Sequence, residues 1–193
     1  YPKRFNSMEL CLRSLTVQTV KPNKIIVYLG SDAIGAKIPP KIEKYKSFGI
    51  EFVIDDKFNL KSHKKYYYAI KQFPNDVIVT ADDDTIYPKN WLESLLDSYE
   101  KYPNAISARR VHQIKKNKKG ELLPYNKWKD QCRDVIEPSF SLIATGNSGV
   151  LYPPNSLDSR VLDFSQFMDI CSEADDIWLK CMSVLKGTKV VWV

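Results

Sequence analysis

The sequence predicts an α/β fold: a mostly parallel sheet flanked by helices. Three observations lead there. Short β-branched runs alternate with helical patterns along the chain. Acidic residues follow three of those runs. No internal repeat or low-complexity linker breaks the pattern, so residues 1–193 read as one domain.

The elements follow in order. Asn6-Ser7-Met8-Glu9 opens a helix, with Asn6 as cap and Glu9 reaching back. Met8, Leu12 and Leu15 form its apolar face. Lys24 to Leu29 reads as a buried strand ended by Gly30-Ser31-Asp32. Pro39-Pro40 begins a helix carrying Ile42 and Tyr45. Ile50 to Ile54 is the next strand. Ser62 is placed to cap a helix whose apolar side holds Tyr66, Ala69 and Ile70. Asp76 to Thr80 is a third strand, and Pro88 starts a helix with Trp91, Leu92, Leu95, Leu96 and Tyr99 on one stripe. Residues 105–108 and 111–114 read as strand. Residues 115–140 have weak periodicity and many charges, so they read as a long functional loop. Ser148 to Tyr152 is a strand, Ser172 starts a helix reaching about Lys186, and Thr188 to Val193 is the last strand.

Composition narrows the class. The 193 residues are 44% hydrophobic and 27% charged, with a net charge of +6, the balance of a globular domain with a sizeable core. There is no apolar run long enough to span a bilayer, and Tyr1-Pro2-Lys3-Arg4-Phe5 does not have the composition of a secretion signal. The absence of a starting Met is expected of a trimmed piece. Cys11, Cys132, Cys171 and Cys181 form no CxxC pair, which fits reduced thiols in a cytoplasmic setting and argues against zinc. The positive charge is uneven and accompanies no nucleic-acid motif, so no nucleic-acid partner is expected. Lys115, Lys116, Lys118 and Lys119 form one run, read either as a solvated loop or as attraction to the inner face of an anionic membrane or an acceptor.

Ligands of open α/β sheets bind beyond the carboxyl ends of the strands, where Asp32, Asp55-Asp56 and Asp82-Asp83-Asp84 fall. Three adjacent carboxylates repel unless something positive lies among them. On an extended backbone Asp82 and Asp84 point one way and Asp83 the other. Such a pair suits a hard divalent cation, Mg²⁺ or Mn²⁺, with positions left for diphosphate oxygens. A plain acidic turn is the alternative. Glu173, Asp175 and Asp176 are a second cluster, either a helix-capping group or the source of a general base.

The stretch from Val77 to Pro88, with Ala81-Asp82-Asp83-Asp84-Thr85 at its centre and Trp91-Leu92 after it, resembles the DxD region of GT-A-fold glycosyltransferases of the family 2-like group. Leu15 to Thr19, Pro22 to Val27, Gly146-Asn147-Ser148-Gly149 and Ser172 to Trp178 extend the resemblance over most of the chain. It implies a Rossmann-like fold and transfer of a sugar, with inversion, from a nucleotide-sugar donor to a hydroxyl of a glycan or lipid-linked acceptor. UDP is the expected nucleotide and polysaccharide assembly the expected setting. It implies a divalent metal on Asp82 and Asp84, and a donor site built from Tyr1, Pro2, Arg4, Asp32, Lys64, Lys65, Asp82 and Asp83. Asp176 is the implied base, with Asp175 beside it. Asn147, Ser148 and Gly149 are the implied acceptor residues, with Trp178 either part of the acceptor floor or a core aromatic. These enzymes begin with a central strand before the segment matching Tyr1 to Arg4, and its absence here is expected to leave strand edges unpaired.

Two rival readings stay open. A haloacid-dehalogenase-type phosphatase also places DxDx[TV] after a strand, although Ile86 holds the fifth position here and two strand–helix units precede the triplet. A non-catalytic sugar- or nucleic-acid-binding module would account for the basic charge.

Overall fold

The computed structural model describes residues 4–30, 33, 37–55 and 59–193. Helix α1 (Phe5–Thr16) lays Phe5, Met8 and Leu12 against Leu29, Ile42, Tyr45 and Ile50. Those partners come from strand β1 (Ile25–Leu29), short helix α2 (Pro40–Glu43) with its 3-10 continuation Lys44–Phe48, and strand β2 (Ile50–Ile54). β1 and β2 pair in parallel with Ile25 opposite Ile50. Helix α3 (Lys64–Gln72) then leads to strand β3 (Ile78–Thr80), and α4 (Trp91–Lys101) to β4 (Ala105–Ala108). Strands β5 (Val111–Gln113) and β6 (Leu142–Ala144) form an antiparallel pair from which residues 114–141 extend. Strand β7 (Val150–Tyr152), helix α5 (Phe164–Ile170), helix α6 (Asp175–Lys186) and strand β8 (Lys189–Trp192) complete the chain.

The α/β class stands, but the sheet is mixed rather than mostly parallel. One sheet runs β3-β7-β4-β8. β7 is antiparallel to both β3 and β4, while β4 and β8 are parallel. β6, which precedes β7 across the 3-10 turn Gly146–Ser148, pairs with β5 in a separate sheet, while β7 enters between β3 and β4 and runs against both. β1 and β3 belong to different sheets and are not hydrogen-bonded to each other. α3 packs on both, and a cavity lined by Ile25 to Leu29 on one side and Val77 to Ala81 on the other separates them. Among the described residues the sheet is therefore divided at this cavity.

Local capping departs from expectation at three helices. α1 takes Arg4 as N-cap with no side-chain cap bond, so Asn6 lies inside the helix. The hydroxyl of Ser62 is buried without a hydrogen-bond partner and caps nothing, because a 3-10 turn over Lys61–His63 precedes α3. α6 starts at Asp175 with Ala174 as cap, not at Ser172. Helix α5 is not among the elements expected from the sequence, yet Asp163 caps it by accepting from the Gln166 N–H at 3.1 Å, as an Asp at an N-cap does.

Two helices are tied together just beneath the acidic strand end. The Gln18 side-chain amide donates to Pro88 O at 2.8 Å and its oxygen accepts from the Leu92 N–H at 3.0 Å. That fixes α1 against the start of α4, whose Trp91, Leu92 and Leu95 are buried with Cys11, Tyr87 and Leu151.

Candidate active site

Asp82 lies two residues past β3, and its backbone is held at both its N–H and its carbonyl. Its N–H donates to the Tyr87 hydroxyl at 2.9 Å. Tyr87 in turn donates to Asn147 O at 3.3 Å. The Cys11 thiol donates to Asp82 O at 3.2 Å. Burial, helped by the charges of Asp83, Asp82 and Asp84, pushes the Cys11 thiol up to about 12, so it stays protonated and can donate. Tyr87 thus links the strand-end acid to the Gly146–Ser148 turn.

The carboxylates beyond this point do not alternate as an extended strand would place them. A turn at Asp83-Asp84 brings both to the Arg4 guanidinium, at 2.9 and 3.3 Å. Asp82 instead faces the Lys65 ammonium at 3.1 Å. Asp82 and Asp83 line the cavity and Asp84 does not. The pairing of Asp82 with Asp84 on one side, expected from strand geometry, gives way because the chain is no longer extended there.

Lys65, on the first turn of α3, reaches across to the second acidic cluster. Its ammonium lies 2.8 Å from Asp175 Oδ2, so one cation bridges the strand-end acid and the start of α6. Burial alone would lower the Lys65 pKa, but Asp175, Asp82 and Asp176 together outweigh it and raise it. Asp176, the next residue of α6, accepts the Gly146 N–H on both oxygens, at 3.1 and 3.2 Å. Burial and then the Asp175 charge raise its pKa to about 6, against the opposing pull of Lys65 and the Gly146 N–H. A carboxylate that titrates close to neutrality inside a cleft is suited to taking a proton.

Gly146 is required by this packing. A Cβ there would lie 2.5 Å from Lys65 Nζ and 3.1 Å from Asp176 Oδ1. The cavity these groups border measures about 1590 Å³ and is walled by Asp82, Asp83, Asp175 and Asp176 on its polar side. A divalent cation on that wall would have Asp82 and Asp83 as its carboxylates, each of which already meets a protein cation, Lys65 and Arg4 respectively. Among the described residues no three His, Cys, Asp or Glu side chains converge, so the protein does not supply an all-protein cage for the ion.

The other expected residues divide clearly. Lys64 and Asn147 line the cavity. Ser148 is half-buried; its hydroxyl meets the Asn147 side chain at 3.3 Å and its carbonyl accepts the Trp91 indole N–H at 2.8 Å. Gly149 does not open the backbone to a sugar. Its φ is 96°, and a Cβ there would meet the Trp91 ring at 2.4 Å, so the missing side chain makes room for an indole. Trp178 is not part of an acceptor floor. It is 3% exposed within the core beside Phe167 and donates to Val161 O at 3.2 Å, because its position on α6 turns it away from the Asp176 face. Asp55 is buried. The expectations for Tyr1, Pro2, Asp32 and Asp56 fall outside the described residues.

Arg110, which the sequence reads as either a phosphate contact or surface, and Lys61, part of a Lys61-Lys64-Lys65 run near the expected phosphate site, both line the cavity; sequence reasoning missed Tyr125 and Thr145. Lys61 pairs with Glu173 and holds a left-handed φ of 49°, uncommon for a side-chain-bearing residue. Tyr125 and Arg110 come from distant segments joined only by folding. His63, beside Lys64, is structural: it is fully buried, bonded to Tyr66 Oη and Cys171 O at 2.8 and 2.9 Å, and stacked on Phe167.

Comparison with known proteins bears on the family and the fold. Among curated proteins none matches the chain. The solved structure of CMP:2-keto-3-deoxy-manno-octonic acid synthetase complexed with CTP is similar over 97% of this chain and 78% of that one, with a TM-score of 0.53 and 10% identity; at that identity the likeness is one of fold. The model of the family described as glycosyl transferase family 2 matches residues 3–155, a span holding α1, the acidic strand end and the Gly146 turn. The chain belongs to glycosyl transferase family 2.

Proposed function

We propose that this domain transfers a sugar from a nucleoside-diphosphate donor, UDP-linked in the first instance, to a hydroxyl of a glycan or lipid-linked acceptor, with inversion. The observation that carries the reading is the Lys65 bridge. One ammonium contacts Asp82 at 3.1 Å and Asp175 at 2.8 Å, so the donor-side acid and the base-side acids border one cavity.

In this reading the segment to about residue 85 holds the nucleotide and the remainder holds the acceptor. Asp82, with Asp83 and Asp84 beside it, is the place for a divalent cation, Mn²⁺ or Mg²⁺, which when bound supplies counter-charge for the departing diphosphate. Arg4, Lys64 and Lys65 provide cations within reach of the same phosphates. Asp176 accepts the proton of the acceptor hydroxyl as its oxygen forms a bond to the anomeric carbon. The bond from that carbon to the diphosphate oxygen breaks, and the electron pair leaves with the nucleoside diphosphate. Asn147, at the cavity wall, orients the acceptor.

The test is donor turnover. A panel of nucleotide sugars is incubated with divalent metal and the release of nucleoside diphosphate is measured. One donor class is turned over by the native chain, and Asp176→Asn loses about 10²–10⁴ of that rate while still binding donor. Hydrolysis of a simple aryl phosphate without any donor turnover overturns the reading in favour of a phosphatase.

A further inference from the structure

Residues 114–141 leave the β5–β6 pair as an arm, and its first part is an ordered ribbon. The Leu123 N–H donates to Lys115 O and the Asn117 N–H to Glu121 O, both at 2.9 Å, and Lys116 bridges Leu122. The Asn117 side chain accepts from the N–H groups of Lys119 and Glu121 at 2.9 and 3.0 Å, and Gly120 closes the turn with φ 83°. Lys116, Lys118 and Lys119 are therefore presented together from a fixed ribbon, and all three are exposed.

The ribbon's cations are not spent within the protein. Among the described residues, Lys116, Lys118, Lys119 and Lys127 form no ion pair, whereas the neighbouring Lys129 pairs with Asp134. Apolar groups stand exposed among them: Leu122 is 64% exposed and Tyr125 58%. Tyr125 packs on Trp128 and His112 at ring distances of 5.2 and 5.7 Å, and the Trp128 indole donates to Leu123 O at 2.7 Å. The apolar groups are thus held in place beside the lysines. Tyr125 also lines the active-site cavity, so the arm that carries the ribbon reaches the cavity wall.

Lysines alone would serve any polyanion. Exposed aliphatic and aromatic groups fixed beside them add something a soluble polyanion cannot use, since their burial requires an apolar phase behind the charges. We propose that the 115–128 ribbon seats the domain on an anionic lipid surface with the Tyr125 side of the cavity towards that surface. The inference does not depend on which sugar or nucleotide the cavity takes.

The experiment is co-sedimentation of the full chain with phosphatidylcholine vesicles, with and without phosphatidylserine, at low and high salt. Binding is expected only with phosphatidylserine and falls as salt rises. The triple variant Lys116→Gln, Lys118→Gln, Lys119→Gln lowers partitioning on the order of a hundredfold at low salt, and Leu122→Ser lowers it further. Circular dichroism checks that both variants fold. Equal binding to neutral vesicles, no binding to either, or binding to soluble polyphosphate that Leu122→Ser leaves unchanged would each overturn the proposal.

Discussion

Replacing Lys65 with Met removes one charge from among three carboxylates, and its consequence can be worked from the structure. A Cβ built on Gly146 lies 2.5 Å from Lys65 Nζ and 3.1 Å from Asp176 Oδ1, so the ammonium and the Asp176 carboxylate are under about 6 Å apart. At an effective dielectric near 20 that separation corresponds to about 3 kcal/mol, or roughly two pKa units. Asp176 already titrates at about 6, raised by burial and by Asp175. Without Lys65 it rises further, and the screening of a partly solvated site makes the change smaller than the full Coulomb figure. The base works only when ionised, so kcat/KM falls as pH drops below its pKa. The acid limb of the kcat/KM profile is expected near pH 6 in the native protein and between one and two units higher in Lys65→Met. Lys65→Arg keeps the charge and should keep the limb within about half a unit of the native position. A Lys65→Met protein that folds, turns over donor and keeps its limb at the native pH would refute the electrostatic reasoning.

Other outcomes follow from the same contacts. Gly149→Ala forces a Cβ to 2.4 Å from the Trp91 indole at φ 96°. It should cost about 3 kcal/mol and lower the melting temperature by roughly 10 °C, read by thermal unfolding. Gly146→Ala meets the movable end of Lys65 instead, so it should leave melting within a few degrees while cutting donor turnover by at least about tenfold through displacement of Lys65 and Asp176. Lys180 is buried with its amine unpartnered, and burial lowers its pKa from 10.5 to about 8. The unfolded chain therefore holds the extra proton between those values, and this group's penalty on the fold is full below pH 8 and fades as pH rises towards 10.5. Lys180→Met should stabilise the protein at pH 7 by up to about 3 kcal/mol, with the gain shrinking in that window during pH-dependent denaturation.

Much of the fold was legible because its elements are set by local pattern. The Ile25–Leu29 and Ile50–Ile54 runs, the Trp91-Leu92-Leu95 stripe and the Pro40 helix start each follow from periodicity or fixed φ. The direction of β7 was not legible. It depends on β7 entering between β3 and β4, and the strand's own composition is silent about its neighbours. At the site, adjacent acids could be read from sequence as needing a counter-charge, but which cation supplies it could not. Lys65 reaches Asp82 and Asp175 across 17 and 110 positions of chain, a contact set by packing of α3 against β3. Trp178 and Gly149 show the opposite error. Their positions next to motif residues suggested sugar contacts, but side-chain direction on α6 and the fit of Trp91 into the Gly149 turn decide their roles.

The most direct test of the account is a thermal-shift panel of nucleoside diphosphates with and without Mn²⁺. At about a hundred times its dissociation constant, one nucleotide should add about 2.7 kcal/mol and raise the melting temperature by roughly 5–10 °C. That shift should require Mn²⁺ and disappear in Asp82→Asn. A shift of the same size without metal, or one that persists in Asp82→Asn, would contradict the claim that the strand-end carboxylates carry the donor's diphosphate.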